Sequence, residues 1–220
     1  AAIGRVPVRT TALLATGVEK TLTYGKKTYN NSAVFAADQA FSQQSDEFIA
    51  TLGSEWSVDE AYLDNSDLKT ARKALVDSLN EGVALASFVG HSGRANWTFD
   101  PLFTSSDAAA LTNYGKPTVI SQWGCWNTYY VDPKYNTLGH KFLLTGSNGA
   151  AVVTGSTTLT DAYSEYKLGL RMMPLLSKPG MTTGEAMLTA KKELAETEPH
   201  LLDVLLGWTI LGDPTTVVRP

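Results

Sequence analysis

Apolar positions along the chain follow two spacings, one typical of buried strands and the other of helices. Short apolar runs predict strands at residues 32–38, 58–63, 83–89, 118–123 and 149–154, and the closing residues 208–214 and 215–218 are expected to form extended pieces joined by a turn. Between them, apolar side chains recur at helical spacing in residues 11–24, 45–52, 67–80, 138–144, 164–176 and 183–195. Strands that alternate with helices predict an α/β fold with a mostly parallel central sheet flanked by helices on both faces.

Composition excludes several classes of protein. The chain has 220 residues, of which 43% are hydrophobic, which is enough for a sizeable core. Its 18 Lys and Arg against 22 Asp and Glu give a formal charge of −4, a balance that does not suggest nucleic acid or an anionic membrane as a partner. The longest apolar run falls short of the ~18 residues that span a bilayer. With one cysteine, internal disulfides and Cys-rich zinc sites are excluded.

The amino-terminal residues carry no signal peptide, because no basic segment followed by an apolar one is present. The chain opens instead inside a strand-like segment, Ile3-Gly4-Arg5-Val6-Pro7-Val8. We therefore expect a single domain over residues 1–220 that is part of a longer precursor.

Candidate chemistry lies where the predicted strands end. Asp38, His91 and Cys125 each follow an apolar run, and ligands of parallel sheets bind beyond the carboxyl ends of the strands. If the second and third of these strands are neighbours, the thiol and the imidazole face one cleft. An imidazole beside a thiol increases its nucleophilicity or accepts its proton during attack. The backbone amides of Cys125 and Ser92 would then be placed to bind the oxyanion of an acyl-transfer reaction.

In an alternative interpretation, neither Cys125 nor His91 takes part in catalysis. Cys125 is then a small buried side chain and His91 an ordinary turn residue, because separation along the sequence says nothing about separation in space. The pattern alone favours neither interpretation.

A resemblance to a known protein family favours the catalytic interpretation over the structural one. The string Phe88-Val89-Gly90-His91-Ser92-Gly93, followed by Trp97, Leu111-Thr112-Asn113, Pro117 and Gly124-Cys125, resembles the catalytic core of the gingipain-like cysteine peptidases, relatives of the caspases. The segment around Arg5 and the string Leu211-Gly212-Asp213-Pro214 are similar to the strand that opens, and the motif that closes, the catalytic subdomain of that family.

This resemblance implies a caspase-like three-layer sandwich and a cysteine endopeptidase that works through an acyl-thioester. His91 would be the general base and acid, Cys125 the nucleophile, and the amides of Ser92 and Cys125 the oxyanion hole. The sequence departs from the family at two places: Ser92 stands where glycine usually follows the histidine, and the bulky residues 126–130 follow Cys125. These bulky residues keep open a second hypothesis, a catalytically silent scaffold for secretion or assembly.

The residues predicted to border the substrate pocket lie near the strand ends. They are Asp38, Trp97, Trp123, Trp126, Thr157, Asp161, Tyr163 and Glu165. Trp97 would form a wall of this pocket or serve as a packing residue. Asp38 would hold or polarise His91, or bind a basic substrate group; alternatively it caps a turn. Asp161 or Glu165 would select Arg or Lys on the amino side of the cut bond (the P1 residue), or would instead match the dipole of the following helix. The arginine-selecting acid of the family falls near Ser42 and Asp46, so a basic P1 preference is a hypothesis here.

No organic cofactor is expected, and His140 and His200 lack partners at metal-ligand spacing. The resemblance allows a structural calcium ion, although no Asp-rich loop identifies its ligands. It also implies a protein or peptide substrate, a zymogen that needs its own amino-terminal segment, and a bacterial secreted or cell-surface location. A serine hydrolase is disfavoured, because Gly90-His91-Ser92-Gly93 is followed by Arg94 where a nucleophile elbow has glycine.

Overall fold

A six-stranded sheet forms the centre of the molecule. The computed structural model describes residues 1–132 and 134–218. The strands of the sheet are β1 (Ser32–Ala37), β2 (Ser57–Tyr62), β3 (Leu85–Val89), β6 (Thr118–Trp123), β7 (Ala150–Ser156) and β8 (Trp208–Gly212), and β4 (Asn96–Trp97) and β5 (Phe103–Thr104) form a separate antiparallel pair. Their order is β2-β1-β3-β6-β7-β8, with every pair parallel except β7 and β8.

Helices cover both faces of the sheet. They are α1 (Thr11–Tyr24), α2 (Ser42–Ile49), α3 (Leu68–Glu81), α4 (Ser105–Ala110), α5 (Leu138–Leu144), α6 (Ala162–Leu176), α7 (Thr183–Thr197) and α8 (Leu202–Gly207). Apolar residues of α2, α6, α7 and α8 pack in one core cluster, and those of α3, α4 and α5 in a second cluster on the other face. Helix α1 contacts β7 and α5. This confirms the predicted caspase-like three-layer α/β sandwich.

The register of the parallel strands aligns their carboxyl ends. Ala37 of β1 pairs with Val89 of β3, and Val89 pairs with Trp123 of β6. All three residues are buried, since these strands lie inside the sheet with helices on both faces. The residues that follow the three strands therefore emerge side by side at one edge of the sheet.

The strands and helices expected between residues 11 and 212 all occur, with bounds shifted by up to a few residues. Of the extended piece expected over residues 215–218, only Val217 pairs within the described residues, in an isolated bridge with Thr182. The short helices α4 and α8 and the β4–β5 pair were not predicted, because such short elements carry little periodicity. The strand expected over the opening residues is wrong in its extent: only Arg5 pairs, in an isolated bridge with Leu211. Pro7 has no amide hydrogen, and the amide of Val8 donates to the Val6 carbonyl in a turn.

The longest of the described helices, α6 and α7, have 15 residues each. None of the described helices is both long enough and apolar enough to cross a bilayer.

Candidate active site

Three predicted residues meet at the carboxyl edge of the sheet. Asp38, His91 and Cys125 follow β1, β3 and β6, which are adjacent in the order of the sheet. Backbone hydrogen bonds continue past the strand ends, from the Asp38 amide to the Val89 carbonyl and from the Gly90 amide to the Trp123 carbonyl, both at 2.9 Å. The residues that carry candidate chemistry therefore stand on neighbouring loops.

The carboxylate of Asp38 holds the imidazole of His91. Its Oδ2 atom lies 2.9 Å from Nδ1 of His91 and also accepts the backbone amide of His91 at 3.2 Å. Its Oδ1 atom accepts the amide of Gln39 at 2.8 Å. Because a carboxylate accepts but does not donate, the Nδ1 atom carries the hydrogen and Nε2 is left as the basic nitrogen of the neutral ring. Of the roles predicted for Asp38, the geometry matches the one that holds the histidine.

Two aromatic rings flank the imidazole. Phe41 meets it edge-on, with ring centroids 5.2 Å apart, and Phe99 lies at 4.9 Å with a tilted ring. Phe99 is 84% exposed and His91 is also exposed, so this part of the cleft is open to solvent. The two rings limit the orientations available to His91 without closing access to it.

Two glycines let the strand ends approach each other. A Cβ atom at Gly90 would lie 2.2 Å from Cβ of Asp38, and the backbone there has a φ of +143°. A Cβ atom at Gly124 would lie 2.4 Å from Oγ of Ser92 and 2.5 Å from the carbonyl oxygen of Gly90. The loops that carry His91 and Cys125 are therefore in contact only because glycine occupies these positions.

Cys125 is a half-buried residue, and its thiol faces the loop that follows β7. Its Sγ atom lies 3.5 Å from the carbonyl oxygen of Thr160 and 3.7 Å from the Thr160 hydroxyl. Within residues 1–132 and 134–218, no hydrogen bond joins Sγ to the imidazole of His91. The partial exposure does not fit the alternative in which Cys125 only fills the core.

The backbone around the thiol offers free donors. In the described part of the chain, the amides of Ser92 and Cys125 have no hydrogen-bond acceptor. These are the two donors that the sequence predicted for the oxyanion. The edge of the sheet thus presents a held imidazole, a half-exposed thiol and two unpaired amides.

Comparison with known proteins agrees with this arrangement. The model of a protein family described as peptidase family C25 matches residues 1–219. The chain belongs to peptidase family C25. No curated protein is similar enough in sequence to the C25 domain to count as a match.

Solved structures share the fold of the C25 domain. A complex of the pro- and mature domains of RgpB from Porphyromonas gingivalis has a TM-score of 0.83 and 18% identity, over 99% of this chain and 56% of the other. The Arg-specific cysteine proteinase gingipain R has a TM-score of 0.83 and 17% identity, over 98% and 55%. A third structure, described only as a protease, has a TM-score of 0.80 and 16% identity, over 96% and 54%. The C25 domain spans slightly more than half the length of these chains.

Two predicted pocket residues lie in the core of the C25 domain. Trp97 is fully buried, stacks on Phe88 and donates its indole hydrogen to Gln122. Trp123 is also fully buried and stacks on Trp208. The prediction that they border an open pocket is wrong, because neither side chain reaches the surface: Trp97 of β4 packs in the core cluster of α3, α4 and α5, and Trp123 of β6 packs in the cluster on the other face of the sheet.

Three further pocket candidates are partly or fully exposed. The hydroxyl of Thr157 donates to the carbonyl of Gly207 at 2.9 Å. Trp126 is half-buried, has a left-handed φ of +60° and lies under the guanidinium of Arg94, 5.6 Å from its ring centroid. Tyr163 is half-exposed and donates to Glu198 at 2.9 Å. None of these contacts joins them to the thiol in the described part of the chain.

Acidic residues are grouped beside Thr160. Glu165 is buried and accepts the Thr160 hydroxyl, and burial raises its pKa to about 8. Asp161 is exposed and caps α6, where its side chain accepts the amide of Tyr163 at 2.9 Å. The amide of Asp161 donates to the carboxylate of Asp203 on α8 at 2.9 Å. The repulsion between Glu165 and these two carboxylates adds to the rise in its pKa.

The other acid considered for substrate selection is occupied elsewhere. Asp46 accepts the Tyr62 hydroxyl at 3.0 Å, and the amide of Ser42 donates to Asp64 at 3.2 Å.

In the described residues, no group of three or more His, Cys, Asp or Glu side chains is arranged as a metal site, so no ligand set is identified for a calcium ion.

Sequence reasoning missed four residues of this site: Phe41, Phe99, Thr160 and Asp203. Phe99 carried the best available signal, because a large apolar side chain in a loop after a glycine-rich strand end has no core to fill. The other three make their contacts across 35 to 50 residues of chain, and no local pattern reports such contacts.

Proposed function

We propose that this chain is the catalytic domain of a cysteine endopeptidase, with Cys125 as the nucleophile and His91 as the general base and acid. One observation carries the proposal: an imidazole held at 2.9 Å by Asp38 stands on the strand end next to a half-exposed thiol. Membership of a peptidase family supports the same chemistry.

The reaction begins with a change in the orientation of the thiol. Sγ turns from the Thr160 carbonyl toward Nε2 of His91 by rotation about the Cα–Cβ bond of Cys125. The thiol proton passes to Nε2 while sulfur attacks the scissile carbonyl carbon, and the C–S bond forms. The resulting imidazolium keeps its orientation because Asp38 holds Nδ1.

Collapse of the tetrahedral intermediate completes acylation. The C–N bond breaks as Nε2 returns its proton to the leaving amine, which departs as the new amino terminus. His91 then takes a proton from water and the water oxygen attacks the thioester. The C–S bond breaks as the imidazolium returns the proton to sulfur, which releases the new carboxyl terminus and regenerates the thiol. In both steps the amides of Cys125 and Ser92 donate to the oxyanion.

A preference for a basic P1 residue is the finer part of the proposal. Glu165, Asp161 and Asp203 lie around Thr160, whose carbonyl and hydroxyl contact Sγ of Cys125. A cationic side chain entering beside Thr160 would lower the pKa of Glu165 toward its ordinary range and form a charge-assisted hydrogen bond with it. The preference printed for gingipain R, for arginine, is compatible with this assignment.

The proposed setting and partner follow from family membership. We place the enzyme outside the cell or at the bacterial cell surface, acting on protein or peptide substrates. One relative is a complex of pro- and mature domains, so a pro-segment of this protein is the proposed regulatory partner. Adding such a segment to the active domain should inhibit or assist it, depending on the stage of processing.

A digest of a peptide library tests the function. Wild-type protein should cleave with a reproducible P1 preference, Cys125→Ala should cleave nothing above background, and His91→Ala should lose at least about 10³-fold in kcat/KM. His200→Ala, a change at an exposed histidine outside the cleft, is the matched control and should retain full activity. Cleavage by Cys125→Ala at the wild-type rate would contradict the proposal. Folded wild type that neither cleaves nor reacts with iodoacetamide would favour the silent scaffold.

The P1 preference has its own test. Peptides that differ only in P1 as Arg, Lys, Gln or Leu are compared on wild type and on Glu165→Gln. The variant should lose at least ~10-fold in kcat/KM on the Arg and Lys peptides and change little on the Leu peptide. Glu193→Gln, on the exposed surface of α7, is the matched control. Equal losses on all four peptides would contradict the assignment of Glu165 to substrate selection.

A further inference from the structure

The hydroxyl of Ser92 bridges the two loops of the proposed dyad. Its Oγ atom donates to the carbonyl oxygen of Cys125 at 2.8 Å. The same atom accepts a hydrogen from Nδ2 of Asn127 at 3.3 Å. The hydroxyl therefore uses both its donor and an acceptor position within the site, although the residue stands on the histidine loop and its partners on the cysteine loop.

The side chain of Asn127 is fixed from several directions. Its Nδ2 atom also donates to the carbonyl of Gly124 at 3.2 Å, and its backbone carbonyl accepts the amide of Gly139 on α5 at 3.0 Å. A Cβ atom at Gly155 of β7 would lie 2.2 Å from its Oδ1, which shows how closely the amide group packs on that strand. Asn127 is fully buried, so its hydrogen bonds are not in competition with solvent.

These bonds orient the two peptide groups on either side of Cys125. The carbonyl of Gly124 is held by Asn127, and the carbonyl of Cys125 is held by Ser92. The next amide, of Trp126, donates to the Thr158 carbonyl at 3.0 Å. Of the amide and carbonyl groups in these two peptides, within the described part of the chain, only the amide of Cys125 has no partner.

The backbone after Cys125 needs such support. Trp126 has a φ of +60°, a left-handed conformation that is unfavourable for a residue with a side chain. Conformations of this kind persist where the surrounding bonds determine them, and they are frequent at functional sites. The carbonyl of Cys125 and the amide of Trp126 are both bonded across this point, so the peptide plane cannot turn without breaking one of the two bonds.

We propose that Ser92 and Asn127 are positioning residues that aim the amide of Cys125 at the oxyanion. Their side chains do not touch the substrate; they act through the two peptide planes that hold that amide. The inference rests on the proposed function, since it assigns these residues to the same acyl-transfer reaction. It also gives a role to the hydroxyl of Ser92 in addition to the role proposed for its amide.

Peptide hydrolysis and alkylation of Ser92→Ala distinguish this role from a merely structural one. Hydrolysis passes through an oxyanion, whereas alkylation of Cys125 by iodoacetamide displaces iodide at a saturated carbon and forms none. We expect kcat to fall roughly 10- to 100-fold with KM changed less than about two-fold, because a misdirected donor costs less than a deleted one. The alkylation rate should stay within about two-fold of wild type.

A peptide aldehyde gives an independent readout. Its hemithioacetal with Cys125 carries an oxygen at the position of the oxyanion, so the inhibition constant on Ser92→Ala should rise by about the same factor as kcat/KM falls. Ser92→Gly, which also lacks the hydroxyl, should behave like Ser92→Ala. Since Ser92 is only half-buried and lies in a loop, we expect both variants to fold. Ser54→Ala, an exposed serine before β2 at the opposite end of the sheet, is the matched control.

The possible outcomes separate the positioning role from its alternatives. A loss of kcat with unchanged alkylation supports the positioning role. Unchanged kcat, or equal losses of kcat and alkylation rate, would overturn it, since the first shows no role and the second a general disturbance of the cysteine. If Cys125→Ala retains wild-type hydrolysis, the proposed function itself fails, and this result is distinguishable from a failure confined to Ser92.

Discussion

The sulfur of Cys125 contacts both oxygen atoms of Thr160, lying 3.5 Å from the carbonyl oxygen and 3.7 Å from the hydroxyl oxygen. The same hydroxyl also contacts the buried carboxyl group of Glu165. Because a hydroxyl carries one hydrogen, it donates either to the carboxylate or to the sulfur. When Glu165 is protonated, its own hydrogen can satisfy the threonine oxygen, and the threonine hydrogen becomes available to the sulfur.

The first prediction concerns the reactivity of the thiol in Thr160→Val. The valine lacks the hydroxyl, so at neutral pH the sulfur loses a donor that stabilises its anionic form. We expect iodoacetamide to label Cys125 about 3- to 10-fold more slowly at pH 7, the effect of one hydrogen bond to a charged group. The difference should shrink above pH 9, because the pKa of Glu165 is about 8 and its carboxylate then takes the threonine hydrogen in the wild type.

Labelling followed by mass spectrometry measures this rate without interference, since Cys125 is the single cysteine of the chain. Thr157→Val is the matched control: it makes the same change in the same loop, at a hydroxyl that donates to Gly207 and not to sulfur. A rate for Thr160→Val equal to that of wild type at pH 7 would contradict the prediction.

The second prediction concerns the pH dependence of folding stability. Burial raises the pKa of Glu165 from 4.5 to about 8, so the folded chain keeps a proton that the unfolded chain releases above pH 4.5. The stabilisation from this group is therefore complete below pH 4.5 and is lost as the pH rises through 8. Glu165→Gln removes the titration. Relative to this variant, the wild type should lose on the order of 3 kcal/mol of unfolding free energy across that window.

Urea unfolding of both proteins between pH 4.5 and 8.5 measures the difference. Glu193→Gln, at an exposed position of α7, should follow the wild-type curve throughout. Curves for wild type and Glu165→Gln that stay parallel across this range would show that Glu165 does not retain its proton in the folded state.

The third prediction concerns a buried lysine on the face of α1 that packs on β7 and α5. Nζ of Lys20 donates to the carbonyls of Phe142 and Asn148 at 3.0 and 2.8 Å, and burial lowers its pKa from 10.5 to about 7. The unfolded chain keeps this proton up to about pH 10.5, whereas the folded chain releases it above 7, so stability should rise with pH between these values.

Lys20→Met should remove this rise. The methionine leaves two carbonyls without their donor, which lowers stability by a similar amount at every pH, so the informative quantity is the slope and not the offset. Urea unfolding between pH 7 and 10 should show the wild type gaining on the order of 3 kcal/mol over the variant. Lys192→Met, at an exposed position, should keep the wild-type slope. A wild-type slope in Lys20→Met would show that Lys20 is not the group that titrates.

The fold and the centre of the site could be predicted because their signals are local. Each strand ends in a run of apolar residues, so Asp38, His91 and Cys125 could be assigned to strand ends, and parallel strands place their ends at one edge. What the pattern cannot supply is the order of the strands, because it is set by crossover connections and not by any short segment. The antiparallel pairing of β8 with β7 likewise leaves no mark on the sequence of either strand.

The details around the thiol escaped prediction for a related reason. Thr160 and Asp203 make their contacts across 35 and 42 residues, so each is placed by the packing of a whole helix. The sequence predicted Trp97 as a pocket wall or a packing residue and Trp123 as a pocket residue. In the structure both side chains are fully buried, in the core clusters on opposite faces of the sheet.

The last prediction tests the contact between the two catalytic loops through Gly124→Ala. The added Cβ would stand 2.4 Å from Oγ of Ser92 and 2.5 Å from the carbonyl oxygen of Gly90, and the latter is backbone that cannot rotate away. The loops must separate, at a cost of about 1–3 kcal/mol in unfolding free energy. Since a displacement near 1 Å between reacting groups can cost 10²-fold in rate, kcat/KM should fall by at least about that factor.

Gly25→Ala is the matched control, because the nearest atom to its added Cβ lies at 3.8 Å and its φ of −64° suits alanine. It should change unfolding free energy by less than about 1 kcal/mol and leave kcat/KM unchanged. Urea unfolding and peptide hydrolysis measure both quantities on the same preparations. Full activity in Gly124→Ala would show that the proposed peptidase tolerates wider spacing of the loops, and close contact between the strand ends would then not be the reason for glycine at this position.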